Sequence, residues 1–158
     1  MTVRTLTKLA ILLALTLAFQ MLGLPQPITG PAINAMLILS TLIMGPFGAA
    51  LIGMLTPVIA FLRGILAPPL GPAIPFIVLG NWAYIFAFAG LKKINKYLAL
   101  LVGAVLKLLI LAGAVQFLLS VPPPVAKALQ FPQLITALVG GLVALIVWAG
   151  LQKTGIDK

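Results

Sequence analysis

Residues 97–120 read YLALLVGAVLKLLILAGAVQFLLS, an unbroken apolar run carrying one charge, Lys107. Its length is close to the roughly 20 residues that take an α-helix across a bilayer. The apolar residues run on continuously instead of alternating every second position, which disfavours a barrel strand. An ammonium in the middle of such a run is costly unless something offsets it. The chain has no carboxylate to do so. Its one acidic residue, Asp157, stands next to the end, against ten Lys and Arg, for a formal net charge of +9. A cation held in apolar surroundings without a protein counter-ion points to a partner from outside, and a negatively charged ligand fits that part.

The rest of the chain follows the same pattern. It is 158 residues long and 63% hydrophobic, with a mean hydropathy of +1.27, too apolar for a soluble globule of one domain. We expect a single all-α integral membrane domain over residues 1–158, with six spanning helices at approximately 6–24, 31–45, 48–66, 73–91, 97–120 and 132–151. Turn residues separate them: Pro25-Gln26-Pro27, Gly45-Pro46-Phe47-Gly48, Pro68-Pro69-Leu70-Gly71-Pro72, Lys92-Lys93-Ile94-Asn95-Lys96 and Pro122-Pro123-Pro124. The first run follows Arg4 and Lys8, yet it leads into Pro25 without a small-x-small cleavage site, so it is expected to remain as a helix. Cytoplasmic termini place Arg4, Lys8, Lys92, Lys93, Lys96, Lys153 and Lys158 inside, and leave Lys127 outside with Arg63 nearby. That bias predicts an N-in/C-in multi-pass protein of the cell membrane.

At 1.5 Å of rise per residue, the polar side chains inside the runs gather in the outer half. Gln20 ends the first run, Asn34 opens the second, Arg63 closes the third, and Gln133 with Thr136 opens the sixth. Asn81 and Lys107 lie nearer the middle of theirs. Asn81 shares a face with Tyr84, and Thr56 with Arg63, whereas Lys107 and Gln116 point to opposite sides of a straight helix. The candidate binding residues are therefore Arg63, Lys107, Asn81, Asn34, Gln133 and Thr136, with Trp82 and Tyr84 as an apolar wall. Each has a plainer reading beside the functional one. Arg63 can snorkel to headgroups, Asn34, Asn81 and Thr136 can bond neighbouring helices, and Trp82 and Tyr84 can anchor at an interface.

Composition also narrows the function. Without Cys or His and with one terminal Asp, no metal site is available and the one nucleophile–base pair left is Ser40 or Ser120 with Lys107, whose depths do not agree, so no catalytic residue is expected. There is no nucleotide-binding loop, and the dispersed basic residues do not form a nucleic-acid face. A channel would carry polar residues along its whole path, whereas these stop halfway. A small stand-alone carrier, a channel, or a structural subunit of another membrane complex remain as alternatives.

In the first run Ala10, Ala14 and Ala18 recur every fourth residue and make a smooth strip, a surface on which another helix can lie close. The strip, the short six-helix plan with both ends inside, and Leu79-Gly80-Asn81-Trp82 after a proline-rich loop together resemble the substrate-binding S components of energy-coupling factor (ECF) vitamin transporters. The resemblance implies a high-affinity solute-binding subunit with no cofactor of its own. It implies docking through Ala10, Ala14 and Ala18 on a transmembrane scaffold driven by two cytoplasmic ATPases. It further implies a vitamin bound near the outer surface and delivered by toppling of the whole component. Lys107 and Arg63 fit an acidic vitamin such as pantothenate, biotin, folate or lipoate better than a cationic one.

Overall fold

The computed structural model describes residues 2–153; Asp157 and Lys158 lie outside them. Seven α-helices and one 3-10 helix form the described chain, with no strand among the described residues. They are α1 (Val3–Met21), α2 (Gln26–Met44), α3 (Pro46–Leu62), the 3-10 helix (Pro68–Ala73), α4 (Ile74–Leu91), α5 (Lys96–Phe117), α6 (Pro123–Ala128) and α7 (Phe131–Lys153). Five segments are long and apolar enough to cross a membrane: α1, α2, the 3-10 helix with α4, α5, and α6 with α7. Helix α3 is apolar and shorter.

Local chemistry explains the ends. Thr2 caps α1, its hydroxyl accepting from the Thr5 amide. The Asn95 side chain accepts from the amides of Tyr97 and Leu98 at 2.9 and 3.0 Å and starts α5. Gly45 turns α2 into α3 at a φ of 86°, a conformation that costs glycine little. Helix α2 begins at Gln26, ahead of the expected start at 31. Pro27 sits in its first turn, where no N–H is needed, so this proline opens the helix instead of separating two. The proline-rich connections are not bare turns: 68–73 winds into the 3-10 helix and 123–128 into α6.

The most extensive pairings are α4 with α5 and α2 with α7, and α5 also packs on α7. Helix α1 rests on α2 and α3 and buries only Leu12 and Thr16. The centre holds Leu37, Ile38, Ile52, Ile85, Phe88 and Leu100, whereas Phe47, Leu62, Ile94, Phe117 and Ile146 face outward. An outward face this apolar suits lipid.

Where lipid surrounds the helices, close packing holds them together, and small residues at the crossings permit it. At Gly140 of α7 a Cβ would run into the Pro31 carbonyl and would lie 2.8 Å from Asn34 Cβ on α2. Gly103 of α5 leaves the same kind of room for Tyr84 of α4. Replacing Gly140 by Ala is expected to cost about 1–3 kcal/mol through overpacking. It should lower Tm in detergent micelles, whereas Gly150→Ala, with nothing near its Cβ, should leave Tm unchanged or raise it.

Candidate functional site

Toward the end of the bundle where α1 finishes and α2 begins, α5 delivers Lys107 into a cluster of amides. The Lys107 stem lies along α4 because Gly80 has no side chain; a Cβ there would sit 3.2 Å from Lys107 Cγ. Lys107 Nζ then donates to Asn34 Oδ1 of α2 at 2.7 Å and to Asn81 Oδ1 of α4 at 2.9 Å. Both asparagines turn their oxygens to the ammonium and their Nδ2 groups to acceptors, so each amide dipole is used in one consistent direction. Asn34 Nδ2 donates to the Gly30 carbonyl at 2.9 Å, with Thr136 Oγ1 of α7 at 3.5 Å.

Asn81 Nδ2 donates to the Gly53 carbonyl of α3 at 2.9 Å. In a regular helix that carbonyl would accept from the residue four positions on, but that residue is Pro57, which has no N–H. A proline in α3 thus frees an acceptor that an asparagine in α4 fills.

The four polar members of the cluster are nearly sealed: Asn34 is 2% exposed, Asn81 3%, Lys107 4% and Thr136 5%. Lys107 has three N–H donors and two are spent on neutral amides. No carboxylate balances its charge among the described residues. The Tyr84 ring centroid, 5.9 Å from Nζ, adds a weak cation–π attraction. The arrangement holds a positive charge at a fixed point and leaves one N–H donor for something else.

Lys107, Asn34 and Asn81 form part of the wall of a cavity of about 280 Å³. Its polar side also has Gln20, Gln26, Thr29, Thr56 and Gln133, and its apolar side includes Ile33, Pro57, Leu70 and Ile77. Leu66 follows α3, and the buried Leu129 directly follows α6. Such a mixture of apolar wall and few converging polar groups is what small-molecule sites are made of.

Of the candidate residues read from the sequence, Lys107, Asn34, Asn81 and Gln133 line this cavity, and Thr136 touches Asn34 behind it. Arg63, Trp82 and Tyr84 do not line it. Arg63 is exposed at the C-terminal cap of α3, where Gly64 turns the chain away. Trp82 stands one position past Asn81, rotated about 100° around the helix, and donates from Nε1 to the Ala50 carbonyl of α3 at 2.9 Å. Tyr84 shares the Asn81 face one turn along, and its hydroxyl donates to the Ala137 carbonyl at 2.7 Å, joining α4 to α7. Gln26, Thr29 and Pro57 escaped sequence reasoning because they look like turn residues or helix breakers in the chain. The nearest signal was the polarity of Gln20 and Gln26 on either side of the first break.

On α1, away from the bundle, Ala10, Ala14 and Ala18 are all exposed, while Thr16 on the opposite side is buried. The family model of the ECF transporter substrate-specific component matches residues 4–151. Comparison with curated proteins and with solved structures gives no match.

The Lys107–asparagine cluster makes a clear prediction. Asn81→Leu leaves the ammonium short of an acceptor and is expected to cost about 1.5–3 kcal/mol, the worth of a hydrogen bond to a charged group. Adding Lys107→Met removes the under-satisfied ammonium, so the double variant should lose less than the sum of the two single variants, while the Gly53 carbonyl and Asn34 Oδ1 remain without their donors. Unfolding of the single and double variants in mixed micelles checks it, and additive losses would mean that the two residues do not interact.

Proposed function

This chain belongs to the substrate-specific components of ECF transporters, and from that membership we propose that it captures a small anionic, vitamin-like solute in the Lys107 cavity. The observation that carries the reading is the buried ammonium: two neutral acceptors, a spare donor, and a position on the cavity wall. A carboxylate there gains a charge-assisted hydrogen bond in surroundings that screen it little. It also supplies the negative charge that no described residue supplies. The volume, about 280 Å³, lies near the lower end of ligand pockets, about 300–1,000 Å³, which favours an acid of the bulk of pantothenate, biotin or lipoate over folate.

Six crossings complete the reading, with α3 as the sixth. Its 17 residues make a short span, at the lower limit of about 17–25 residues. Arg4, Lys8, Lys92, Lys93, Lys96 and Lys153 gather at the end opposite the cavity, which argues for a cytoplasmic location of that end and an outward-facing cavity. The Lys92 ammonium is pushed below its ordinary range by partial burial and by Lys93 and Lys96 nearby. The exposed strip of Ala10, Ala14 and Ala18 offers a smooth surface for a membrane scaffold subunit. Two cytoplasmic ATPases attached to that scaffold would provide the energy, since this sequence has no nucleotide-binding loop.

Two measurements test the proposal. An acid present at a hundred times its Kd should stabilise the protein by about 2.7 kcal/mol, and Lys107→Met should weaken its binding by at least about 30-fold, from the loss of 2 kcal/mol or more. Calorimetric titration with pantothenate, biotin and lipoate beside cationic thiamine reads both, and unchanged affinity in Lys107→Met removes the lysine from the site. Separately, Ala14→Trp should prevent co-purification with the scaffold while leaving solute affinity intact; full retention of the complex would move the docking face elsewhere.

A further inference from the structure

The end of the bundle opposite the Lys107 cavity has a groove of its own, with a volume of about 250 Å³. Ile11 and Leu12 of α1 line one side and Leu151 of α7 the other, with Leu42 and Ile43 from the last turn of α2 between them. Helix pairing explains the gap. Both α1 and α7 pack on α2, yet they hardly meet each other. Helix α1 also buries only Leu12 and Thr16, so its lower half leaves an apolar furrow beside α7.

Two polar groups make this furrow more than a seam that any hydrocarbon can fill. Lys8 lines it from α1, one turn before Leu12, and Trp148 lines it from α7, one turn before Leu151. Neither the Lys8 ammonium nor the Trp148 indole N–H has a hydrogen-bond partner among the described residues. No carboxylate there balances the lysine. Lys8 stands five residues into α1, about 7.5 Å from its start. A lysine at that depth lays its stem on the apolar wall and carries its charge out to the level of lipid phosphates. Lys92, Lys93, Lys96 and Lys153 gather at the same end, and such a field concentrates anionic lipid beside it.

We propose that this groove binds one anionic phospholipid from the leaflet that the basic end faces. A stretch of acyl chain lies against α2 between α1 and α7, and the phosphate sits on Lys8 with the Trp148 N–H as a second donor. Basic pockets between membrane helices take anionic headgroups in this way. A free phosphate finds a single charge and a wall of hydrocarbon there, and a zwitterionic lipid brings its own cation to the lysine. The bound chain completes the packing of α1 on the bundle. The site stands apart from the Lys107 cavity and does not depend on what that cavity takes.

Trp148 reports on the groove directly. The full chain is reconstituted in phosphatidylcholine vesicles with phosphatidylglycerol of the same acyl chains as the minor component. In one preparation the phosphatidylglycerol is brominated on its chains; in the other an equal amount of the phosphatidylcholine is brominated instead. Bromine quenches an indole only at contact, and subtracting the signal of Trp148→Phe removes the contribution of Trp82. Phosphatidylglycerol should occupy the groove with about a fivefold preference, the size expected from one lysine at a charged surface. Lys8→Gln should bring the preference close to none, and Lys8→Arg should keep it. Lys93→Gln removes the same charge from the same end, away from the groove, and should change the preference little. Added inorganic phosphate should displace nothing. Tm in micelles confirms that each variant is folded.

Equal quenching by the two labels, or a preference that Lys8→Gln retains or Lys8→Arg loses, overturns the site. A loss in Lys93→Gln as large as in Lys8→Gln overturns it too, because the preference then belongs to the field of the whole basic end. Displacement by inorganic phosphate would make the ligand a free anion. Absence of Trp148 quenching by either label would mean that protein, such as a second copy of this chain, covers the groove. Each of these outcomes excludes the lipid.

Discussion

A single ammonium without a counter-ion sets the conditions for the rest of this bundle. Lys107 sits where water is scarce, and a charge there persists only if dipoles are aimed at it from several directions. The two nearest come from different helices, so satisfying the lysine also fixes how α2, α4 and α5 stand to one another. Each asparagine is then committed at its far side, to Gly30 in one case and to Gly53 in the other. The chain of obligations ends at a proline, because Pro57 leaves the Gly53 carbonyl without its usual helical donor. Polarity within the Lys107 cluster is thus closed on itself except at the cavity.

Glycine makes these reaches short enough. Gly80 admits the lysine stem, Gly53 admits the Asn81 side chain, and Gly140 brings α7 against α2 beside Asn34. Larger residues at these crossings would push the helices apart and lengthen hydrogen bonds that tolerate little stretching. Packing and electrostatics are therefore one problem here, since the amides point correctly only if the backbones approach closely. Tyr84 adds a further tie, buried fully and joined to the Ala137 carbonyl.

The helical character and the heart of the cluster were legible in the sequence because both depend on local or near-local facts. A long apolar run is a helix whatever surrounds it in lipid. A lysine in its middle needs compensation, and the sequence picked out Lys107, Asn34 and Asn81 singly, whereas the pairing of the ammonium with both asparagines depends on how α2, α4 and α5 pack. Arg63, Trp82 and Tyr84 were harder, because their roles turn on where a helix stops and on a rotation of one residue. The phase argument linking Thr56 to Arg63 fails once α3 ends at Leu62. Pro57 was invisible for another reason: its effect is exerted on a carbonyl four residues back and answered from a different helix. The short helices at 68–73 and 123–128 were read as breaks because proline both starts and stops helices, and only tertiary packing decides which.

The order of the residues along the chain has a consequence for biogenesis. Helices leave the ribosome in sequence, and a lysine at the centre of a span opposes insertion by about 2.5–3.5 kcal/mol. Helix α5 is the most hydrophobic of the candidate spans, with a hydropathy of 2.6 against 1.4 for α1, and that surplus offsets the charge it brings. Both acceptors for Lys107 lie N-terminal to it, on α2 and α4, and are synthesised before it. When the lysine emerges its partners have already been made, and the charge is never required to wait in lipid for a helix still to come.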